Sequence, residues 1–202
     1  MTKPHRFGLT FLFAFLAWTW LVTTVDVRPI GPDGSTVGLA TINSAFHTWT
    51  GVHLSLYVLT DWLSIIPLGI VATFAALGLA QWIRRRSLCK VDRDILILGG
   101  YYLVVLAVYV LFEFVTVNYR PLLIEGVPEV SYPSSTTMLV LCVIPTAVMH
   151  LHARLPRHLL TVFAAFMVVA RLLSGVHWLT DIIGGILLST ALVLLYRASA
   201  KH

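Results

Sequence analysis

The chain has 202 residues, 58% of them hydrophobic and only 11% charged, where soluble domains carry about 25% charge. That composition excludes a water-soluble globular enzyme and points to helices built to lie in lipid. The net charge of +5 does not indicate a nucleic-acid partner, because the basic residues form no continuous stripe, and two cysteines, Cys89 and Cys142, are too few for a disulfide framework or a thiolate metal site.

The first apolar run, Phe7 to Val25, follows a short basic start with Lys3, His5 and Arg6. Asp26-Val27-Arg28-Pro29 comes after it instead of a small-residue cleavage site, so it reads as a retained span, not a signal peptide. Residues 26–41 are polar and rich in Gly and Pro, hence a loop. Ile42, Phe46 and Trp49 recur at helical spacing and predict a short helix in the membrane interface, with His47 and His53 as interfacial polar residues. The second span is clearest from Trp62 to Trp82, with an aromatic anchor at each end. A basic loop follows, with Arg84, Arg85, Arg86, Lys90 and Arg93, and the third span runs from about Ile95 to Phe114.

Residues 115–133 form a loop containing Arg120-Pro121 and Tyr132-Pro133. The fourth span starts near Ser134 and ends near His150, with a kink expected at Pro145. A turn with His152, Arg154, Arg157 and His158 leads to the fifth span, about Leu159 to Val176, and the sixth is about Leu179 to Tyr196. Gly184-Gly185 in the sixth permits close helix packing. No internal repeat or linker is visible, so residues 1–202 are expected to form one domain. The expected fold class is all-α: a polytopic bundle of six transmembrane helices.

With six spans, every Lys and Arg except Arg28, Arg120 and Arg171 falls on one side, at the N-terminus, the 84–93 loop, the 151–158 turn or the tail from Arg197 to His202. The positive-inside rule makes that side cytoplasmic. The expectation is an integral protein of a bacterial-type cytoplasmic membrane, with both termini cytoplasmic. Arg120 and Arg171 then lie at outer ends of spans, against the rule, and call for a reason.

Three pieces meet at that outer face: Asn118-Tyr119-Arg120-Pro121, then Pro133-Ser134-Ser135-Thr136-Thr137, then Arg171 to Asp181. His177 and Asp181 are four apart, one turn on a helix face, and a carboxylate near an imidazole orients it and fixes its tautomer. Arg171 offers a planar fork suited to phosphate oxygens. Alone, these residues also read as a membrane-boundary histidine with snorkelling charges. A proline followed by hydroxyl residues opens a helix, so free N–H groups, hydroxyls and the positive dipole end face one spot, as either an anion site or a plain N-cap. Two outward-facing arginines beside it favour the anion site.

Arg120-Pro121, Pro133-Ser134, and Arg171 with its spacing to His177 and Asp181 together resemble the type 2 phosphatidic acid phosphatase superfamily. Its three motifs read KxxxxxxRP, PSGH and SRxxxxxHxxxD. Their order, the six-span plan and the third motif's spacing match. The resemblance implies His177 as nucleophile, Asp181 as its orienting carboxylate, and Arg120, Arg171 and Ser134 as phosphate ligands, with Ser135 and Thr136 alongside. The departures are Glu113 for the first-motif lysine, Ser135-Thr136 for Gly-His, and Ala170 for the third-motif serine. Glu113 is therefore read as an acid, if burial raises its pKa, or as a partner for Arg120 or Arg171.

The implied activity is metal-independent cleavage of a lipid phosphate or lipid diphosphate at the outer face, through a phosphohistidine and with no cofactor. A missing general acid costs about 10²–10⁴ in rate, and least when the leaving group is itself a phosphate. The alternatives are a phosphotransferase on the same fold and a weakly active relative that binds lipid phosphates. A transporter is disfavoured because the ionisable residues gather at one face.

Overall fold

The computed structural model describes residues 3–124 and 126–200. Lys201 and His202 of the basic tail lie outside the described residues. Eight helices follow in order: α1 Lys3–Thr24, α2 Ala40–Thr50, α3 Leu54–Leu63, α4 Ile65–Arg85, α5 Arg93–Phe114, α6 Ser135–Met149, α7 Arg154–Leu173 and α8 Leu179–Ala200. The architecture is all-α and suited to a membrane. α1, the joined α3–α4, α5, α7 and α8 are long and apolar enough to cross a bilayer. α6 has 15 residues, which is about 22 Å of helix, shorter than the other five.

Helix boundaries depart from the expected spans where proline chemistry dictates. The second span begins at Leu54, not Trp62. It breaks at Ser64 because Pro67 cannot donate to the carbonyl of Leu63. α7 begins at Arg154, not Leu159, since Pro156 sits in its first turn, where no N–H is needed. α6 runs on through Pro145. A helix is present where Ile42, Phe46 and Trp49 predicted one, as α2.

Of the five long spans, α8 is the most enclosed and α3–α4 the most exposed. A buried cluster of Phe15, Leu98, Tyr132, Met138, Leu188 and Tyr196 joins α1, α5, α6 and α8, and a smaller one with Ile144 and Met167 joins α6 to α7. Lipid tails are as apolar as these side chains, so close packing, not expulsion from water, must hold the helices together. The glycines of α8 serve that closeness. A Cβ on Gly184 would stand 2.7 Å from the Tyr132 ring, and one on Gly185 would stand 3.2 Å from Thr137. The absence of those carbons seats the start of α8 against the start of α6.

Candidate active site

Three segments form one end of the bundle. Residues 118–120 lie antiparallel to 129–131, with Arg120 N–H donating to the Glu129 carbonyl at 2.9 Å and Ser131 N–H to the Asn118 carbonyl at 2.9 Å. The start of α6 meets the start of α8, where Ser134 N–H donates to the Asp181 carbonyl at 3.1 Å. The turn 174–178 joins α7 to α8.

His177 lies in that turn, not on a helix shared with Asp181, because α8 opens only at Leu179. Gly175 has φ +74°, a left-handed conformation that ends α7, and a Cβ there would stand 2.4 Å from the Gly51 carbonyl. Asp181 is the third residue of α8, and its Oδ2 accepts the Trp178 N–H at 2.9 Å. This is half of a capping box, so the same carboxylate that starts the helix also faces His177.

The contact between the two is indirect. His177 Nδ1 lies 3.8 Å from Asp181 Oδ2, too far for a hydrogen bond. Ser131 fills the gap: its Oγ is 3.1 Å from His177 Nδ1 and donates to Asp181 Oδ2. Asn118 Nδ2 donates to Asp181 Oδ1 at 3.1 Å. With its own proton committed to the carboxylate, Ser131 Oγ accepts from Nδ1–H. That leaves His177 Nε2 with its lone pair free, buried and without a hydrogen-bond partner. Burial pushes the His177 pKa down to about 4; the charges of Arg171 and Arg120 act in the same direction, against Asp181. The ring is neutral at pH 7.

The cations lie on the same side. Arg171 is only 1% exposed. It donates from NH1 to Thr60 Oγ1 at 3.1 Å and covers the Tyr57 ring at 4.8 Å. No carboxylate pairs with it among the described residues, and its Nε is unpartnered. Arg120 lies over the same Tyr57 ring at 5.6 Å and pairs with Glu129 at 3.1 Å, leaving Nε and NH1 unpartnered. The hydroxyls of Ser134 and Thr137 are also buried and unpartnered, and Ser134 makes no side-chain cap bond to α6. A buried cation without an anion is costly, so the arrangement suits an incoming dianion.

The structure thus brings together His177, Asp181, Arg120, Arg171 and Ser134. Ser135 and Thr136 follow on the first turn of α6. Glu113 stands apart: it is exposed near the end of α5 beside Tyr109, and the carboxylate on Arg120 is that of Glu129. Reading the sequence missed Ser131, Tyr57, Thr60 and Glu129. It also took His47 for a plain interfacial residue, whereas its Nε2 donates to the Gly175 carbonyl at 3.0 Å.

The family model of the PAP2 superfamily matches residues 113–201, from the position of the first motif to the end of α8. That match supports PAP2 superfamily membership for the chain. In fold it is similar to a transmembrane PAP2 type phosphatidylglycerolphosphate phosphatase from Bacillus subtilis, with a TM-score of 0.55 and 20% identity, covering 100% of this chain and 97% of that one. No curated protein matches it. Five helical segments of the described chain are long and apolar enough to cross a bilayer, and Arg171, His177 and Asp181, which match the family's third motif, stand together at one end of the bundle.

Proposed function

We propose that the protein hydrolyses a lipid phosphate or lipid diphosphate at the outer face of the membrane, with His177 as nucleophile. The observation that carries this reading is the neutral, buried His177 with a free Nε2 beside two arginines, one of them buried and in direct ion pair with no carboxylate among the described residues. Arg120, Arg171 and Ser134 hold the phosphoryl oxygens. Nε2 attacks phosphorus, the N–P bond forms, and the bond to the leaving oxygen breaks. The imidazole becomes cationic as it does so, and the Ser131–Asp181 relay at Nδ1 stabilises that charge. Water then cleaves the N–P bond, releasing phosphate and restoring His177.

Catalysis of this kind is largely positioning and charge stabilisation. Thr136 stands where the family has a protonating histidine, and a threonine hydroxyl is far too weak an acid for that role. The reading therefore favours leaving groups that need no proton, above all a lipid monophosphate released from a diphosphate. The oxyanion charge is met by guanidinium groups and hydroxyls, so no metal is required. Both termini lie on the cytoplasmic side, following the distribution of basic residues.

Phosphate release from a panel of lipid phosphates and diphosphates tests this reading, with EDTA present throughout. Wild type should release phosphate in EDTA, and His177→Ala should lose nearly all release while still binding the lipid phosphate. Equal release by the two proteins would refute the nucleophile. Release abolished by EDTA and restored by Mg²⁺ would refute the metal-free chemistry. Labelled phosphate passing to an added acceptor lipid in place of water would show a transferase.

A further inference from the structure

Tyr57 and Thr60 lie one turn apart on α3 and reach the two arginines from outside the stretch that matches the family. The Arg171 guanidinium carbon is 4.8 Å from the centre of the Tyr57 ring, and that of Arg120 is 5.6 Å from the same centre. Both distances fall within the range of a cation–π contact. Thr60 Oγ1 donates into the carbonyls of Leu56 and Tyr57 on its own helix and accepts from Arg171 NH1 at 3.1 Å. The start of α3 is fixed in turn, since the His53 N–H donates to the Ser174 carbonyl at 3.0 Å. α3 packs against α7, which carries Arg171.

Two guanidinium groups gathered at one ring need an account. Like charges repel, and the repulsion is strong where water is scarce. Arg171 is buried and has no carboxylate in direct ion pair among the described residues, while Glu129 pairs with Arg120 alone. What attracts both cations is the ring. The face of an aromatic ring is negative and its edge positive, so it draws in a cation laid over it while carrying no net charge.

An uncharged holder has a chemical consequence. A carboxylate between the arginines would hold them more tightly, but it would also neutralise them, and an incoming phosphate would have to displace it. A ring holds the two together and leaves their charge for the substrate. The cost of bringing the cations together then falls on folding, not on binding, and phosphate meets a clamp already assembled.

We propose that Tyr57 is a positioning residue: the face of its ring holds Arg120 and Arg171 together as one cation pair for the phosphoryl group. The inference rests on the phosphatase reading above. The electrons of the ring do this, and the hydroxyl of Tyr57 has no part in it.

The test replaces Tyr57 by phenylalanine and by phenylalanines with one, two and three ring fluorines, which keep the ring's shape and weaken its negative face stepwise. Purified protein is assayed on farnesyl diphosphate and phosphatidic acid, and binding of inorganic phosphate is measured by calorimetry in a His177→Ala background. Tyr57→Phe should keep kcat/KM within about twofold of wild type. Each added fluorine should lower kcat/KM and phosphate affinity together. Tyr57→Leu, which has no ring, should lower both by about 30-fold, or about 2 kcal/mol at about 1.4 kcal/mol per tenfold. The same fluorine series at Phe13, exposed on α1, should change neither. A flat fluorine series at position 57, or a Tyr57→Phe protein as impaired as Tyr57→Leu, would overturn the proposal. Phosphate affinity that falls along the series, in a protein that hydrolyses neither lipid, would uphold the role of Tyr57 and refute the phosphatase reading.

Discussion

Ser131→Ala separates a relayed dyad from a direct one. Without the hydroxyl, His177 Nδ1 faces Asp181 Oδ2 across 3.8 Å, beyond hydrogen-bond reach. A buried N–H left without a partner costs about 1–3 kcal/mol, and that cost falls on the attacking arrangement, in which Nδ1 holds the proton and Nε2 the free lone pair. At about 1.4 kcal/mol per tenfold, the competent fraction falls by roughly 5–150-fold. The loss should appear in kcat, as slower formation of the phosphoenzyme in single-turnover quench experiments. KM should change little, because Arg120, Arg171 and Ser134 are untouched. Ser131→Thr, which keeps the hydroxyl, should recover most of the rate. If Ser131→Ala keeps kcat within about twofold, or if the whole loss lies in KM, the relay is not how the ring is held.

Arg171→Lys should lower kcat/KM by roughly 10–150-fold in steady-state assays, since a point charge cannot both bond Thr60 and present a fork to phosphate. The pH profile follows from the depressed His177 pKa of about 4. The group must be deprotonated to attack, so once substrate ionisation is allowed for, kcat/KM should show no acid limb near the usual imidazole value and should fall only as pH drops toward 4. The same shift makes folded-state stability decline with acid, because the unfolded ring takes up a proton from about 6.5 downward, and thermal melts across that range should show it. Single cysteines near Asp33 or Gly126 should react with an impermeant thiol reagent from outside, and one near Ser87 should not; the reverse pattern would reject an outer-face site.

The sequence made the reactive end legible because it violates the rules of its surroundings. Arg120 and Arg171 break the charge asymmetry of the spans, and His177 and Asp181 interrupt apolar runs. The bundle was legible for the same reason, as long apolar segments punctuated by charge. Ser131 was not, because a serine before Tyr132-Pro133 looks like any loop residue, and its role exists only where residues 118–131 fold back beside α8. Tyr57 and Thr60 gave no signal either, since one helical turn between an aromatic and a threonine is common in membrane helices. The placement of His177 ahead of α8 turned on Gly175, which is left-handed and packs against Gly51, 124 positions earlier in the chain.

That distant contact belongs to a set. His47 donates to the Gly175 carbonyl and packs against Trp178 at 5.5 Å between rings, the His53 N–H bonds the Ser174 carbonyl at 3.0 Å, and Asn43 exchanges hydrogen bonds with Thr180 at 3.0 and 3.2 Å. Every one of these anchors lies upstream of the residues that match the family. The reacting groups and the frame that aims them are thus encoded in different parts of the gene. A graft of residues 113–201 onto foreign leading helices would carry the chemistry without its alignment. Substitutions in the first quarter of the chain would be recorded as inactivating although none of them approaches phosphorus.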